Sequence, residues 1–450
     1  MIFTMPAEAE LTDERLDDCI KKHAAEVTKR YQILQDAYVT KYEIDNLPKK
    51  ESWKPDNRLK FNFAKYIVDT MEGFFIGNPI KVLADNEEEK INSYLELLDQ
   101  YNDLDNNNAE LSKACSIFGS AFEMYFVDEY GQIGITYLNP MEAFMIVDDS
   151  ILKREKYFVR VFKDEEGDIC GSVSDEVSVK WFTYKKGEYI WEDEKIHGFD
   201  GVPATEFIEN AERQGLFEPV MSLINAYNKA MSEKANDVDY FADAYLKVLG
   251  PYLDEEDTKS IRNNRIINFE GDAKDIIVEF LNKPDGDITQ EHLIDRLERM
   301  IFQISMVANI SDENFGASSG IALKYKLQSM SNLEKTKERK FASGINRRCK
   351  IIFSNPVNQM KAMDWVKVHA HFTPNIPANV LEETQIAQNL QGIVSQETAL
   401  KVLSIVDNVK GELEKIEQEE EELKQDAVMS FTFNHNHDDE GENKDGDIDE

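Results

Sequence analysis

Hydrophobic positions recur along this chain at two periods, and the places where the period changes mark its parts. Leu11, Leu16, Ile20, Ala24/Ala25 and Tyr31/Leu34 stand at roughly helical spacing among charges, which predicts a helix over 11–40. A polar stretch with Pro48 and Pro55 follows, then a second helix from Phe61 to Gly73 that Gly77-Asn78-Pro79 should stop. Ile80-Lys81-Val82-Leu83 reads as a short strand, and 87–120 returns to helical spacing. From 122 to 208 the period is two. Phe122–Val127, Ile133–Leu138, Lys156–Phe162, Val177–Tyr184 and Tyr189–Glu192 are separated by turns such as Asp128-Glu129-Tyr130-Gly131, Glu166-Gly167 and Lys186-Gly187. These predict antiparallel strands within an α+β fold.

The longest helical pattern, 216–247, carries Phe217, Val220, Ile224, Tyr227, Met231 and Tyr245 and would run about 48 Å at about 1.5 Å per residue. Ser232, Glu233, Lys234, Asn236, Asp237 and Asp239 break into its middle, which predicts a helix that packs laterally against copies of itself and keeps one face wetted. Gly250-Pro251 should end it. A small mixed segment, 252–286, holds strand-like Arg265–Phe269 and Ile276–Phe280, and Thr289–Val307 is helical again. The segment 309–320 then reads as a pliable loop, freed by Gly316 and Gly320. It opens onto a long helix from Ile321 that Ser318 or Ser319 can cap. Trp365–Phe372 alternates as a strand, 380–425 is helical, and the polar 427–450 is expected to be disordered.

Charge changes this picture at one place. The chain of 450 residues has 51 Lys+Arg against 87 Asp+Glu, a net charge of −36, which argues against a tight sequence-specific DNA binder. Yet Lys324–Lys350 holds nine basic residues and two acidic ones, Glu334 and Glu338. That helix has three readings: ion pairing with acidic surface of the same or a neighbouring subunit, facing nucleic acid, or a solvated face. The length predicts two or three domains. No apolar run is long enough to span a membrane, the N-terminus lacks the pattern of a signal peptide, and Cys19, Cys115, Cys170 and Cys349 show no metal or redox spacing.

Candidate chemistry is sparse. The chain has neither a P-loop nor a dinucleotide glycine fingerprint. Gly316-Ala317-Ser318-Ser319-Gly320 matches the string of a hydrolase elbow, but polar Ser311-Asp312-Glu313-Asn314 precedes it where a buried strand is needed. His369 and His371 share a strand face, too few ligands for a metal site. His435 and His437, and the run Asp445–Asp449 that lacks a closing Glu, fall in the tail. No catalytic residue, metal site or cofactor is expected.

Leu59-Lys60-Phe61-Asn62-Phe63-Ala64-Lys65-Tyr66-Ile67-Val68-Asp69, with Gly77-Asn78-Pro79-Ile80, resembles the N-terminal signature of tailed-bacteriophage portal proteins, the branch of siphophages of Gram-positive hosts. Val202-Pro203 with Glu209–Arg213, Asn225–Asn228 through Ala235–Asp237 to Phe241–Tyr245, and Ser319-Gly320-Ile321-Ala322-Leu323-Lys324 agree in order, so the likeness runs from about 25 to 425. The resemblance implies a non-enzymatic dodecameric ring at one capsid vertex of the virion, assembled in the host cytoplasm, with a channel for double-stranded DNA. It implies a portal fold with a wing (1–215 and 321–377), stem helices (216–247 and 289–308), an α/β clip (248–288), a tunnel loop (309–320), crown helices (378–425) and an acidic tail (426–450). Asn314, Phe315, Gly316, Ser318, Ser319, Gly320 and Lys324 would line the channel. Asp254, Arg262, Arg265 and Lys274 in the clip would meet the terminase large subunit and later the head-tail adaptor. Major capsid and scaffolding proteins are the other implied partners, and DNA passes without sequence recognition. Two other classes stay open, a cytoplasmic α+β enzyme or regulator with a mobile loop at 309–320 and a scaffolding or adaptor protein.

Overall fold

The computed structural model of the protein describes residues 2–51, 54–85, 88–242, 246–249, 277–280, 287–310, 325–375, 380–403, 405–406, 409 and 411–419. The chain forms two compact units, Met1–Ala317 with Tyr325–Asn375, and Ser318–Lys324 with Ile376–Glu450. The first unit contains strands β1 (Ile2–Met5), β2 (Lys81–Ala84), β3 (Ser120–Val127), β4 (Ile133–Leu138), β5 (Ala143–Asp148), β6 (Glu155–Lys163) and β7 (Ile169–Ser174). They continue with β8 (Ser178–Lys185), β9 (Glu188–Trp191), β10 (Lys195–Ile196), β11 (Ala204–Ile208), β12 (Leu246–Leu249), β13 (Ile277–Phe280) and β14 (Val368–His371). Its helices are α1 (Asp13–Glu26), α2 (Gln32–Tyr38), α3 (Phe63–Phe75), α4 (Glu89–Asn102), α5 (Leu104–Phe118), α6 (Met221–Ala242), α7 (Asp287–Ser305) and α8 (Gln328–Ser354).

A seven-stranded sheet runs β1-β5-β6-β7-β8-β10 with β9 on β8, and a three-stranded sheet runs β11-β3-β4. All pairings are antiparallel except β1 on β5, which is parallel. β5 is buried at every position. Phe144 and Ile146 pack with Phe3, Met5, Leu16 and Ile20 on the α1 side, while Ala143, Met145 and Val147 pack with Phe122 and Ala204 of the smaller sheet and with Val202 just before it. A strand covered on both faces is apolar throughout, so its sequence gives no period of two.

Several elements differ from their sequence reading. The helix expected over 11–40 contains a π turn at Val27–Tyr31, at whose end Tyr31 is buried. The helix expected over 216–247 starts only after Pro219 and stops at Ala242. With 22 residues it is about 33 Å long rather than about 48 Å. Leu246–Leu249 pairs with β13 instead, because ladder pairing overrides a helical pattern that carries no local stop before Gly250. Trp365–Phe372 yields a 3-10 turn at Asp364–Lys367 and a strand of four residues, β14, paired antiparallel with β2.

The second unit, taken alone, has α9 (Val380–Leu390), α10 (Gln396–Leu400) and helical residues 411–419. The helical stretch expected over 380–425 is interrupted at Gly392, whose φ of +82° suits glycine. Ser395 then starts α10 by accepting the Thr398 N–H at 3.3 Å. The acidic tail expected over 426–450 and the strand expected at Arg265–Phe269 lie outside the described residues.

Candidate functional site

Asn314, Phe315, Gly316, Ser318, Ser319, Gly320 and Lys324, and the clip candidates Asp254, Arg262, Arg265 and Lys274, lie outside the described residues. What the structure describes is the frame to which both ends of segment 311–324 are fixed. That frame is built on α3. Asn62 caps it, its Oδ1 accepting the Lys65 N–H at 2.9 Å. The same side chain donates to Tyr38 O and Thr40 Oγ1 and accepts from the Tyr42 hydroxyl, so the cap also joins α3 to the end of α2. Ala64, Ile67, Val68 and Met71 bury the inner face at helical spacing.

Tyr66, on the other face of α3, holds the first end of the segment. Its hydroxyl accepts the Ile310 N–H at 2.8 Å, and its ring meets Phe302 of α7 edge-on at 5.6 Å. Phe63 bridges Tyr227 of α6 and the same Phe302. Just before Ile310, Met306 adopts a φ of +60° where the chain leaves α7, and Asn309 donates to Glu298.

The stretch before α3 explains the polar middle of α6. Asn228, Ser232 and Asn236 are buried and accept the backbone N–H groups of Phe61, Leu59 and Asn57 at 2.8, 2.9 and 2.6 Å. Four residues of helix rise about 6 Å, and two residues of extended chain advance about 6.6 Å, so two antiparallel segments stay in register over three rungs. The polar face expected to be wetted or to meet copies of the chain is instead occupied by residues 57–61 of the same chain. Lys50 with Glu233, and the Asn57 amide with Asp239, extend the ladder along its outer edge.

The second end of the segment is carried by α8, seated by two buried ion pairs. Lys337 Nζ, 1% exposed, lies 2.6 Å from Glu72 Oε1 of α3 and 3.0 Å from Glu209 Oε2, and donates to Ser116 Oγ of α5. Burial would pull this lysine down, but the carboxylates of Glu209 and Glu72 outweigh it and hold it above the ordinary lysine range. Burial, reinforced by the Glu72 carboxylate and opposed by Lys337, pushes Glu209 up. Glu72 Oε2, Glu209 Oε1 and Ser112 Oγ are buried without a hydrogen-bond partner. Three turns further on, Arg348 makes a two-pronged bond to Glu123 of β3 at 2.7 and 2.8 Å and donates to Asn108 of α5 at 2.6 Å. Between the two pairs, a Cβ on Gly344 would come within 2.4 Å of the Phe207 ring, so glycine sets the closeness of α8 to β11.

Of the three readings of the basic helix, ion pairing within the same chain therefore holds for Lys337, Arg347 and Arg348, the second pairing with Glu155. Tyr66 and Glu209 lie within the segments that carried the resemblance, but nothing marked Lys337 or Arg348 apart from the surface lysines around them. His369 and His371 stand on the exposed face of β14, and among the described residues no group of His, Cys, Asp and Glu is arranged to hold a metal. Burial raises the thiols of Cys115 and Cys349, the latter up to about 12, which keeps both in the unreactive protonated form. No helix among the described residues is long and apolar enough to cross a membrane.

Comparison with known proteins supplies what the geometry leaves open. A family model described as "Phage portal protein, SPP1 Gp6-like" matches residues 16–426. The protein named "Portal protein" from Clostridium phage phiCD119 is 24% identical over 442 residues, covering 90% of this chain and 96% of its own. A solved structure, the neck of an empty GTA particle computed with C6 symmetry, has 12% identity and a TM-score of 0.42, over 75% of this chain and 89% of that one.

Proposed function

The chain belongs to the SPP1 Gp6-like family of phage portal proteins, and we propose that its copies close into a ring at one capsid vertex through which double-stranded DNA is packaged and later ejected. The observation that carries this reading is the family match, which spans 16–426 and so includes every element described in the first unit beyond β1 and the start of α1. Proteins of this family are structural, and no reaction is assigned to any residue.

Within this reading, segment 309–320 is the tunnel loop, and Asn314, Phe315, Gly316, Ser318, Ser319, Gly320 and Lys324 meet the passing DNA. Ile310 held by Tyr66 and the seating of α8 on Glu72 support that role, since a loop that touches a moving polymer needs a fixed base. Helices α6 and α7 form the stem. The 248–288 region forms the clip, with Asp254, Arg262, Arg265 and Lys274 docking the terminase motor and then the head-tail adaptor. The wing, the crown over 378–425 and twelvefold closure follow from the same family reading, as do capsid and scaffolding partners and a place in the virion. A net charge of −36 suits a conduit, because duplex DNA carries about one charge per 1.7 Å of axis. A lining rich in Lys and Arg would hold that polyanion in place.

Deleting Asn314–Ser319 tests the loop assignment. The deletion variant is expected to form rings of parental size by electron microscopy while packaging no DNA in a reconstituted head-filling assay. Normal packaging by that variant would remove the tunnel-loop role.

A further inference from the structure

The outer face of α8 is a regular polar stripe. Asn332, Thr336, Arg339, Ser343, Asn346 and Lys350 follow at alternating steps of four and three residues, and all are exposed. That spacing keeps side chains on one line along a helix, as at a helix–helix seam. The stripe contains no carboxylate. Its cations Arg339 and Lys350, and Lys340 beside it, pair with no acid among the described residues, whereas Lys335, Lys337, Arg347 and Arg348 of the same helix all do. The helix dipole favours cations only in the last turn, which accounts for Lys350 but not for Arg339 or Lys340 in the middle of the helix.

A complementary surface lies elsewhere on the same unit. Glu96 and Asp99 of α4, and Asp103 and Asp105 at the bend into α5, are exposed and pair with no cation among the described residues. Asp103, at φ +49°, makes the bend. Asp103 and Asp105 suit the start of α5, but Asp99 sits in the last turn of α4, where the helix dipole opposes a negative charge. Desolvation and the neighbouring Asp105 raise the Asp99 carboxyl, and Arg348 opposes them only in part. Leu97 and Tyr101, 50% and 45% exposed, stand among these acids and give the corner an apolar centre.

We infer that the outer stripe of α8 on one copy docks onto the α4–α5 corner of the next, Arg339, Lys340 and Lys350 against Glu96, Asp99, Asp103 and Asp105. The inference rests on the ring proposed above and names its subunit contact. Because the two surfaces differ, the contact is head-to-tail, the kind that closes rings when repeated. Copies that each carry −36 repel one another, so a local match of opposite charge is what sets their register.

Charge reversal of the full-length chain tests this, with assembly followed by sedimentation velocity at low and physiological salt. Arg339→Glu/Lys340→Glu/Lys350→Glu and Asp99→Lys/Asp103→Lys/Asp105→Lys should each shift the assembly midpoint to at least about tenfold higher concentration, while circular-dichroism melts stay parental. Mixing the two variants should restore rings of alternating composition, and one chain carrying both reversals should assemble alone. Parental assembly by either triple variant would overturn the contact and leave the ring intact. Natively melting variants that stay monomeric even when mixed or combined would also overturn it. A basic-stripe variant that assembles normally but passes DNA poorly would overturn it in favour of a stripe that faces DNA. A parent chain that never assembles would remove the ring itself, and this contact with it.

Discussion

Lys337 and its two carboxylates place three charges in the interior, and such a group is sensitive to which partner is removed. Lys337→Met leaves Glu72 and Glu209 buried together without a cation and is expected to cost about 3–5 kcal/mol in chemical denaturation. Glu209→Gln keeps the shape and leaves a one-to-one pair, so its cost should stay within about 1 kcal/mol. The pH profile separates the two effects. The Glu209 carboxyl lies above its ordinary 4.5 in the fold, so the fold binds a proton that the unfolded chain has already released. Its contribution is therefore fully present below pH 4.5 and is lost as pH rises through the raised native value. Glu209→Gln should flatten that slope, and an unchanged slope would place the proton elsewhere. His23 acts with the opposite sign. Its buried ring lies 2.7 Å from the Pro140 carbonyl oxygen, and burial holds it below 6.5, so stability should fall as pH drops below 6.5, a dependence His23→Gln should lack. Neither residue was legible as a core member: Lys337 sits in Lys335-Thr336-Lys337-Glu338-Arg339-Lys340, which reads as a solvated charge run until its partners, far away in sequence, are brought against it.

Elements were legible where helical spacing or a turn marked them and obscure where neither did. Helix α3 buries one face at the spacing its sequence predicts, and the hairpin of β3 and β4 is marked by its Asp128–Gly131 turn, although β3 is buried on both faces over Ser120–Glu123. β5 escaped because it is apolar on both sides, and β1 because four residues at the chain's start carry no pattern until β5 offers them an edge. The polar middle of α6 predicts a wetted face and packing on copies of the chain, and it is instead buried on residues 57–61, because periodicity cannot say that the neighbour is a backbone. The ladder makes its own prediction. Replacing Asn228, Ser232 and Asn236 together by alanine leaves the N–H groups of 57, 59 and 61 without acceptors, at about 1 kcal/mol or more for each group. Amide hydrogen exchange at 57–61 should rise steeply in that variant, while exchange in β5 and β6 stays slow. Gly344→Ala tests the other close approach, since α8 can accept a methyl group only by lifting from Phe207. An expected loss of about 1–3 kcal/mol follows from overpacking at that point.

For the molecule as a whole, net charge carries a prediction of its own and says nothing of the division into two units. With −36 overall, the intact protein should retain no linear duplex DNA in gel-shift experiments near physiological salt. Retention at submicromolar concentration would contradict the charge argument. Tyr66 and Glu72 add a mechanical consequence. They lie six residues apart on α3, about 9 Å along its axis, and one ties down residue 310 while the other seats the helix that follows residue 324. A tug on the intervening strand of protein thus arrives twice on one short rod, and its two anchor points share the load instead of being pried apart.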